Sequence, residues 1–203
     1  MTTIVDYGLG NIRAFAAAYK KLGIPIATAS TPADLVRATR IILPGVGSFD
    51  NAMMKLVKSG LREALNRLVL VDKVPVLGVC VGMQMLARRS EEGAMDGLGW
   101  IDGEVRKFSP FVGGRPRRVP HMGWNDARVV RANKLFEGLE GARFYFLHSY
   151  FFECHQDADV LAVADYHGDF VCGTNAGNVF GVQFHPEKSH HWGSRLLENF
   201  AAL

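Results

Sequence analysis

The stretch Pro75-Val-Leu-Gly-Val-Cys-Val-Gly-Met-Gln-Met-Leu86 decides the fold of this 203-residue chain. The apolar run at residues 74–79 is β-branched and short enough to be a buried strand of a parallel sheet. The run leads into Gly78-Val-Cys-Val-Gly82, and residues 83–86 predict a helix. A strand, a Gly-x-nucleophile-x-Gly turn and a helix form a nucleophile elbow, here with cysteine where serine is more common.

An elbow would make Cys80 a nucleophile. The flanking glycines leave room for a sharp turn, and the free N–H groups of the following helix favour the thiolate, which is the reactive form. The N–H group of Val81 is then positioned to form half of an oxyanion hole. The alternative is a buried structural cysteine, because free cysteine is among the most buried residue types. A base, an orienting carboxylate and a second oxyanion donor elsewhere would favour the elbow.

The composition is that of a globular protein, with 48% hydrophobic and 21% charged residues. The net charge of +3 is too small to indicate nucleic-acid binding, and no apolar run approaches the length of a membrane span. We expect a cytoplasmic protein with free thiols, since no signal peptide precedes the first predicted strand and the three cysteines are an odd number. Cys154 and Cys172 lack an elbow and are expected to be structural. Without repeats or a linker, residues 1–203 are predicted to form one domain.

Strands and helices are predicted to alternate in the first half of the chain. The predicted strands are residues 2–5, 25–28, 40–43 and the elbow strand, and the predicted helices are residues 12–22, a short turn from Pro32, 50–58 and 61–70. The second half is richer in strands, at residues 100–108, 142–146, 151–152, 160–166, 170–174 and 179–184, and closes with a helix at 193–202. This order predicts an α/β fold with an open, mixed, mostly parallel sheet flanked by helices.

The loop Pro44-Gly-Val-Gly47 follows the third predicted strand, at the sheet edge where open α/β folds bind ligands. An N–H group of Gly45, Val46 or Gly47 would supply the missing oxyanion donor. The alternative is a flexible connection from strand to helix. The Pro44-Gly-Val-Gly47 loop does not match a phosphate-binding loop, because no Gly-Lys-Ser/Thr follows at the required spacing.

The last predicted strand ends at His185-Pro-Glu187. His185 is a candidate base whose neutral imidazole takes the proton of Cys80, and Glu187 is a candidate carboxylate that orients the ring. Pro186 restricts His185 to extended backbone. The alternative is a strand-end histidine with a solvated glutamate. No His/Cys spacing matches a metal site, and we expect no cofactor.

A basic loop contains Arg115, Arg117 and Arg118. These side chains could hold a phosphate or an acidic partner, or they could form a solvated loop.

Several motifs distributed along the chain belong together. Besides the elbow, they are Asp6-Tyr-Gly-Leu-Gly-Asn11, Pro44-Gly-Val-Gly47, Pro120-His-Met-Gly-Trp-Asn125, Phe144-Tyr-Phe-Leu-His-Ser-Tyr150 and Gln183-Phe-His-Pro-Glu-Lys-Ser189. The set resembles the class I glutamine amidotransferases and, more narrowly, the glutaminase subunits of imidazole glycerol phosphate synthases. The elbow varies on the more common Gly-Ile-Cys-Leu-Gly by apolar exchanges only.

The resemblance implies a flavodoxin-like fold and a mechanism. Cys80 would attack the side-chain amide of L-glutamine, His185 would protonate the departing ammonia and then activate water, and Glu187 would orient His185. The resemblance also implies that Gln84 and the segment His148-Ser149-Tyr150 hold the glutamine.

The resemblance further implies a partner. In the family, this subunit docks as a heterodimer on a (β/α)8-barrel cyclase, which uses the ammonia to convert PRFAR to imidazole glycerol phosphate and AICAR. Three alternatives stay open: a paralogue that supplies another synthase, such as one acting on a surface-polysaccharide sugar; a non-catalytic module of the same fold; and a free-standing cysteine hydrolase.

Overall fold

The computed structural model describes residues 1–203, apart from the side chain of Arg115. Its strands are β1 (Thr2–Val5), β2 (Ile26–Ala29), β3 (Arg40–Gly45), β4 (Val76–Cys80), β5 (Arg89–Ser90), β6 (Gly103–Lys107), β7 (Phe111–Val112), β8 (Arg115–Pro116), β9 (His121–Asp126), β10 (Arg128–Val129), β11 (Arg143–His148), β12 (Tyr150–Cys154), β13 (Val160–Asp165), β14 (Asp169–Ala176) and β15 (Val179–Val182). Its α-helices are α1 (Ile12–Lys21), α2 (Phe49–Lys58), α3 (Leu61–Asn66), α4 (Val81–Gln84) and α5 (His190–Ala202). Single 3-10 turns or short 3-10 helices lie at Pro32–Arg37, Lys134–Phe136, Asp157–Asp159 and Pro186–Lys188, and a π-helical turn, Arg67–Val71, extends α3.

Eleven of the strands form one large mixed sheet, whose main path is β2-β1-β3-β4-β15-β14-β12-β6-β5, with β13 paired to β14 and β10 paired to β13. The first four strands are mutually parallel, and β15 joins them parallel to β4. From β15 onward the sheet continues with the antiparallel pairs β15–β14, β14–β12 and β12–β6. The predicted α/β fold with a mixed sheet is therefore confirmed. The carboxyl ends of β3, β4 and β15 meet at one edge, and the candidate site lies there.

The core forms because the central strands are apolar on both faces. All of β4 is buried, as is typical of a parallel strand covered by helices on both sides. The amphipathic helix α2 buries Phe49, Ala52, Met53 and Leu56. On the antiparallel side, the rings of Phe144 and Phe184 stack with centroids 3.8 Å apart.

Some helix predictions differ from the structure. The helix after the elbow covers only Val81–Gln84, because the carbonyl groups of Met85 and Ala87 accept hydrogen bonds from Leu98 and Gly99 instead of continuing the helix. Asn11 occupies the N-cap position of α1, but its side chain makes no capping hydrogen bond. The last helix begins at His190, three residues before the predicted start.

The motif at residues 120–125 was not predicted to be a strand. It forms β9, which pairs with β11 in a separate two-stranded antiparallel sheet. In this pairing Met122 lies opposite Leu147, and Trp124 lies opposite Tyr145. These four residues therefore share one face of the sheet, since side chains alternate along a strand.

The basic loop is partly incorporated into the fold. The guanidinium of Arg117 lies 5.0 Å from the ring centre of Phe108 and donates a hydrogen bond to the carbonyl oxygen of His167. The phosphate interpretation required a free guanidinium on Arg117. The guanidinium is instead engaged in packing within the protein. Arg118 is exposed. The predicted role of Arg115 lies outside the described residues.

Among the helices that the structure describes, none is both long and apolar enough to cross a membrane. Among the described side chains, no three or more His, Cys, Asp or Glu residues are grouped so that they could hold a metal ion.

Candidate active site

Cys80 lies on a strained turn between β4 and α4. Its backbone has φ of 55° and ψ of −114°, a left-handed conformation that is uncommon for a side chain larger than glycine. The neighbouring glycines have no room for a side chain. A Cβ atom on Gly82 would lie 1.9 Å from the carbonyl oxygen of Leu43, and one on Gly78 would lie 2.6 Å from the carbonyl oxygen of Gly82. The strand, turn and short helix thus have the geometry of a nucleophile elbow.

The loop that was predicted to supply an oxyanion donor lies beside the elbow. Gly45 is level with Cys80 in the parallel pairing of β3 and β4. A Cβ atom on Gly45 would come within 2.4 Å of the backbone nitrogen of Gly82, so only glycine permits this approach. Val46 and Gly47 continue into the cleft next to Cys80.

His185 is held rigidly at the end of β15. Its Nδ1 lies 2.9 Å from Oε1 of Glu187, and both side chains are buried, with exposures of 5% and 1%. The backbone N–H of His185 donates to the carbonyl oxygen of Tyr145, and its carbonyl oxygen accepts a hydrogen bond from the hydroxyl of Ser189. Because Nδ1 donates to a carboxylate, Nε2 is the ring nitrogen left to face the cysteine.

The electrostatic environment favours a protonated His185. Burial by itself lowers the pKa of the imidazole, but hydrogen bonds to Cys80 and Glu187 and the negative charges of both groups outweigh burial and raise the pKa to about 10. The resting site therefore favours the imidazolium form of His185. The sequence-based interpretation began instead with a neutral imidazole that takes the thiol proton.

A cleft of about 350 Å³ opens above the elbow. Of the predicted site residues, those that line it are Cys80, His185, Val46, Gly47, Val81, Gln84, His148, Ser149 and Tyr150. Gly45 lies at the base of its loop, and Glu187 lies behind His185, so neither lines the cleft. The structure thus brings predicted residues from four separate segments of the chain to one cavity.

The chain matches the family model described as glutamine amidotransferase class-I over residues 3–202. It is 57% identical to the imidazole glycerol phosphate synthase subunit HisH of Bdellovibrio bacteriovorus over 204 residues, which is 100% of both chains. It is 54% identical to the HisH subunit of Leptospira interrogans, again over 100% of both chains. The chain belongs to the class I glutamine amidotransferases, among the HisH subunits.

Solved structures of this family share the fold. A glutamine amidotransferase aligns with a TM-score of 0.76 at 22% identity, over 100% of this chain and 99% of its own. PurLQS from Thermotoga maritima aligns with a TM-score of 0.74 at 18% identity, over 98% of this chain and 96% of its own. At these identities the likeness demonstrates the fold alone.

Three further polar side chains of this class I glutamine amidotransferase lie at the site but were not predicted there. The amide Nε2 of Gln183 lies 3.8 Å from the sulfur of Cys80. Glu92 and Lys188 line the cleft, and a carboxylate oxygen of Glu92 accepts the backbone N–H of Phe49 at 2.8 Å. Gln183 and Lys188 were part of a quoted motif, whereas Glu92 lay in a stretch with turn composition and gave no other signal.

Proposed function

We propose that this chain is the glutaminase subunit of an imidazole glycerol phosphate synthase and hydrolyses L-glutamine to glutamate and ammonia. Cys80 is the nucleophile, His185 the acid and base, and Glu187 the orienting carboxylate. The observation that carries the proposal is the alignment of these three groups, with Cys80 on a glycine-flanked elbow and His185 bonded to Glu187 at 2.9 Å, in a chain that matches HisH subunits over its whole length.

The first half of the reaction forms a thioester. The Cys80 thiolate attacks the carboxamide carbon of glutamine, and the carbonyl oxygen takes up the negative charge of the tetrahedral intermediate. The N–H groups of Val81 and of the loop Gly45-Val46-Gly47 stabilise that charge, a contribution of roughly 3 to 4 kcal/mol per donor in other enzymes. The imidazolium of His185 gives its proton to the departing nitrogen, the C–N bond breaks, and ammonia leaves.

The second half returns the enzyme to its starting state. His185, now neutral, takes a proton from water, and the resulting hydroxide attacks the thioester carbon. The C–S bond breaks, glutamate leaves, and the sulfur departs as the thiolate beside the reprotonated imidazole. Glu187 keeps the ring in one tautomer throughout, because its carboxylate accepts the Nδ1–H group.

The amino-acid end of glutamine extends toward the remaining cleft residues. Gln84 and the segment His148-Ser149-Tyr150 form one wall, and Glu92 and Lys188 carry the opposite charges that an α-ammonium and an α-carboxylate require. We propose that these groups select a free amino acid over a peptide-bound glutamine.

The rim of the cleft is the docking face for the synthase partner, a (β/α)8-barrel cyclase that uses the ammonia to convert PRFAR to imidazole glycerol phosphate and AICAR. Val46 and Leu147 line the cleft with exposures of 37% and 39%, and Met122 and Trp124, with exposures of 66% and 41%, lie on the same face of the β9–β11 sheet as Leu147. Exposed apolar side chains grouped in this way are typical of an interface. A heterodimer joined here would cover the cleft and keep ammonia from escaping into water.

We further propose that residues 1–203 act as one domain in the cytoplasm. The continuous sheet from β2 to β5 supports the single domain, because it joins both halves of the chain.

Glutamate release from glutamine tests the proposed function. The purified chain is assayed alone and then with a barrel cyclase and its nucleotide substrate, with Cys80→Ser as the control. Slow turnover alone and a large increase with the partner support the proposal. Turnover that depends on Cys80 but ignores the cyclase would indicate a glutaminase for another synthase, and no turnover under any condition would contradict it.

A further inference from the structure

The sulfur of Cys80 has two polar neighbours besides His185. The amide Nε2 of Gln183 lies 3.8 Å from the sulfur, and the carbonyl oxygen of Leu147 lies 3.9 Å from it. These neighbours favour opposite states of the sulfur. A carbonyl oxygen can only accept a hydrogen from the neutral thiol, whereas an amide N–H donates and is held more strongly by the thiolate.

The orientation of the Gln183 amide follows from its surroundings. The side chain is fully buried, and its Oε1 accepts a hydrogen bond from Nε2 of Gln84 at 3.0 Å. The same Nε2 of Gln84 also donates to the backbone carbonyl of Tyr150 at 3.1 Å. The backbone carbonyl of Tyr150 can only accept, so the atom of Gln84 that contacts it must be the NH2 nitrogen. The same NH2 group contacts the side-chain amide of Gln183. The oxygen of Gln183 therefore faces Gln84, and its NH2 group faces the sulfur.

A buried histidine pair holds the Tyr150 carbonyl in place. Nδ1 of His148 lies 2.8 Å from this oxygen and must donate to it, so its Nε2 accepts from Nδ1 of His121 at 3.0 Å. Nε2 of His121 in turn lies 3.3 Å from the amide of Asn125. Burial lowers the pKa of His148 to about 3 and that of His121 to about 4, so both rings are neutral at physiological pH and keep these donor directions.

We propose that Gln183 is a further catalytic residue, which stabilises the Cys80 thiolate through its amide N–H and is oriented for this task by Gln84. This inference rests on the proposed function, since it concerns the same nucleophile. Hydrogen bonds with assigned donors thus link Asn125 to the sulfur, and the Tyr150 carbonyl accepts from both sides, from His148 and from Gln84. Its final N–H offsets the Leu147 carbonyl, which would otherwise favour the unreactive thiol.

The effect of Gln183 must be separated from that of the other ionisable groups near the sulfur. The groups that share the cleft or act on the cysteine are Tyr7, Glu92, His148, Tyr150, His185, Glu187 and Lys188. None of these is changed when Gln183 is replaced by methionine, which has a similar length and no amide.

The test is the rate of Cys80 alkylation by iodoacetamide as a function of pH, measured on the isolated full chain by peptide mapping. Only the thiolate reacts at a useful rate, so the pH of half-maximal rate reports on its stability. In Gln183→Met we expect that pH to rise by about one unit, with alkylation roughly tenfold slower on the acid limb. Gln84→Met should shift the profile in the same direction, because it releases the Gln183 amide.

The control is Asn199→Leu, which removes another buried amide. Its Nδ2 donates to the carbonyls of Leu135 and Glu137, away from the cleft, and its profile should match the wild type. Folding of each variant is verified by thermal unfolding. If Gln183→Met does not fold, the alkylation profile of Gln84→Met tests the inference in its place. An unchanged profile, or an equal shift in Asn199→Leu, would overturn the inference.

The experiment also distinguishes failure of this inference from failure of the proposed function. In one outcome the Gln183→Met variant shows an unchanged alkylation profile while Cys80 still reacts and glutaminase activity still responds to the cyclase. That result would contradict only the role of Gln183. A wild-type Cys80 that does not react at any pH would overturn both.

Discussion

Replacing Glu187 by glutamine probes the His185–Glu187 pair most directly. Glu187→Gln keeps the size of the side chain and removes its negative charge. The new amide can also turn its NH2 group toward Nδ1, which forces the ring into the tautomer that places a hydrogen on Nε2. A neutral His185 of that tautomer cannot take a proton from water at Nε2 in the second half of the reaction.

The size of the effect follows from the electrostatics of the pair. Burial lowers the pKa of His185, and the bonds and charges of Cys80 and Glu187 raise it to about 10 from an ordinary value of 6.5. That rise corresponds to roughly 5 kcal/mol of preference for the imidazolium. Glu187 contributes about 2 kcal/mol of this, the value of a hydrogen bond to a charged group, and its loss alone lowers kcat about 30-fold. If Glu187→Gln also holds His185 in the tautomer with a hydrogen on Nε2, kcat falls by up to ~10⁴-fold.

The assay is steady-state glutamate release by the complex with the cyclase. We expect kcat to fall and KM for glutamine to change by less than about threefold, because Glu187 does not line the cleft. Glu198→Gln is the matched control, since Glu198 lies on α5 and is half exposed. If Glu187→Gln kept its kcat within about threefold of the wild type, or lost activity through KM, the assigned role would be wrong.

Three further changes test the elbow, the buried histidine pair and the docking face. Gly82→Ala should destabilise the protein by several kcal/mol, because its Cβ would lie 1.9 Å from the carbonyl oxygen of Leu43, and urea unfolding measures this. The free energy of unfolding should be highest near pH 6.5: above it the stability that the raised pKa of His185 contributes is progressively lost, and below it stability falls as the pH drops toward 4. In the unfolded chain His121 and His148 take up a proton near pH 6.5, whereas burial lowers their pKa values in the folded protein to about 4 and about 3. Each ring therefore lowers the free energy of unfolding by up to about 3 kcal/mol between pH 6.5 and pH 4. His121→Gln should make this decline with falling pH less steep. Trp124→Ala should weaken cyclase binding at least tenfold, measured by calorimetry, and leave the slow activity of the isolated chain unchanged.

Each of these predictions has a control. Gly23→Asn should leave stability nearly unchanged, because the site is open and asparagine tolerates the left-handed conformation. His155→Gln replaces an exposed histidine and should leave the pH dependence intact. Val36→Ala removes an exposed apolar side chain outside the docking face and should leave cyclase binding intact. Equal effects in a variant and its control would contradict the corresponding prediction.

The parallel half of the sheet and the elbow could be predicted because their signals are local. The run before Cys80 is apolar and β-branched, and glycines at fixed spacing mark a turn that no other residue can make. The strand at residues 121–126 was missed because Pro120, Gly123 and Asn125 weaken the alternating pattern, and its partner, β11, is distant in sequence.

The positions that escaped prediction depend on tertiary contacts. The short length of α4 follows from hydrogen bonds donated by residues 98–101, which no local pattern announces. The proximity of Gln183 to the sulfur requires β15 to lie beside β4. Glu92 reaches the cleft because Asp50 accepts the backbone N–H groups of Ala94 and Met95 and so fixes the loop.

Covalent trapping with a glutamine analogue identifies the nucleophile. The chain is incubated with 6-diazo-5-oxo-L-norleucine, a reactive glutamine analogue, in the presence of the cyclase, and the modified residue is located by peptide mass spectrometry. We expect one adduct, on Cys80, which excess glutamine prevents and which is absent in Cys80→Ser. An adduct on Cys154 or Cys172, or labelling that glutamine does not slow, would contradict it.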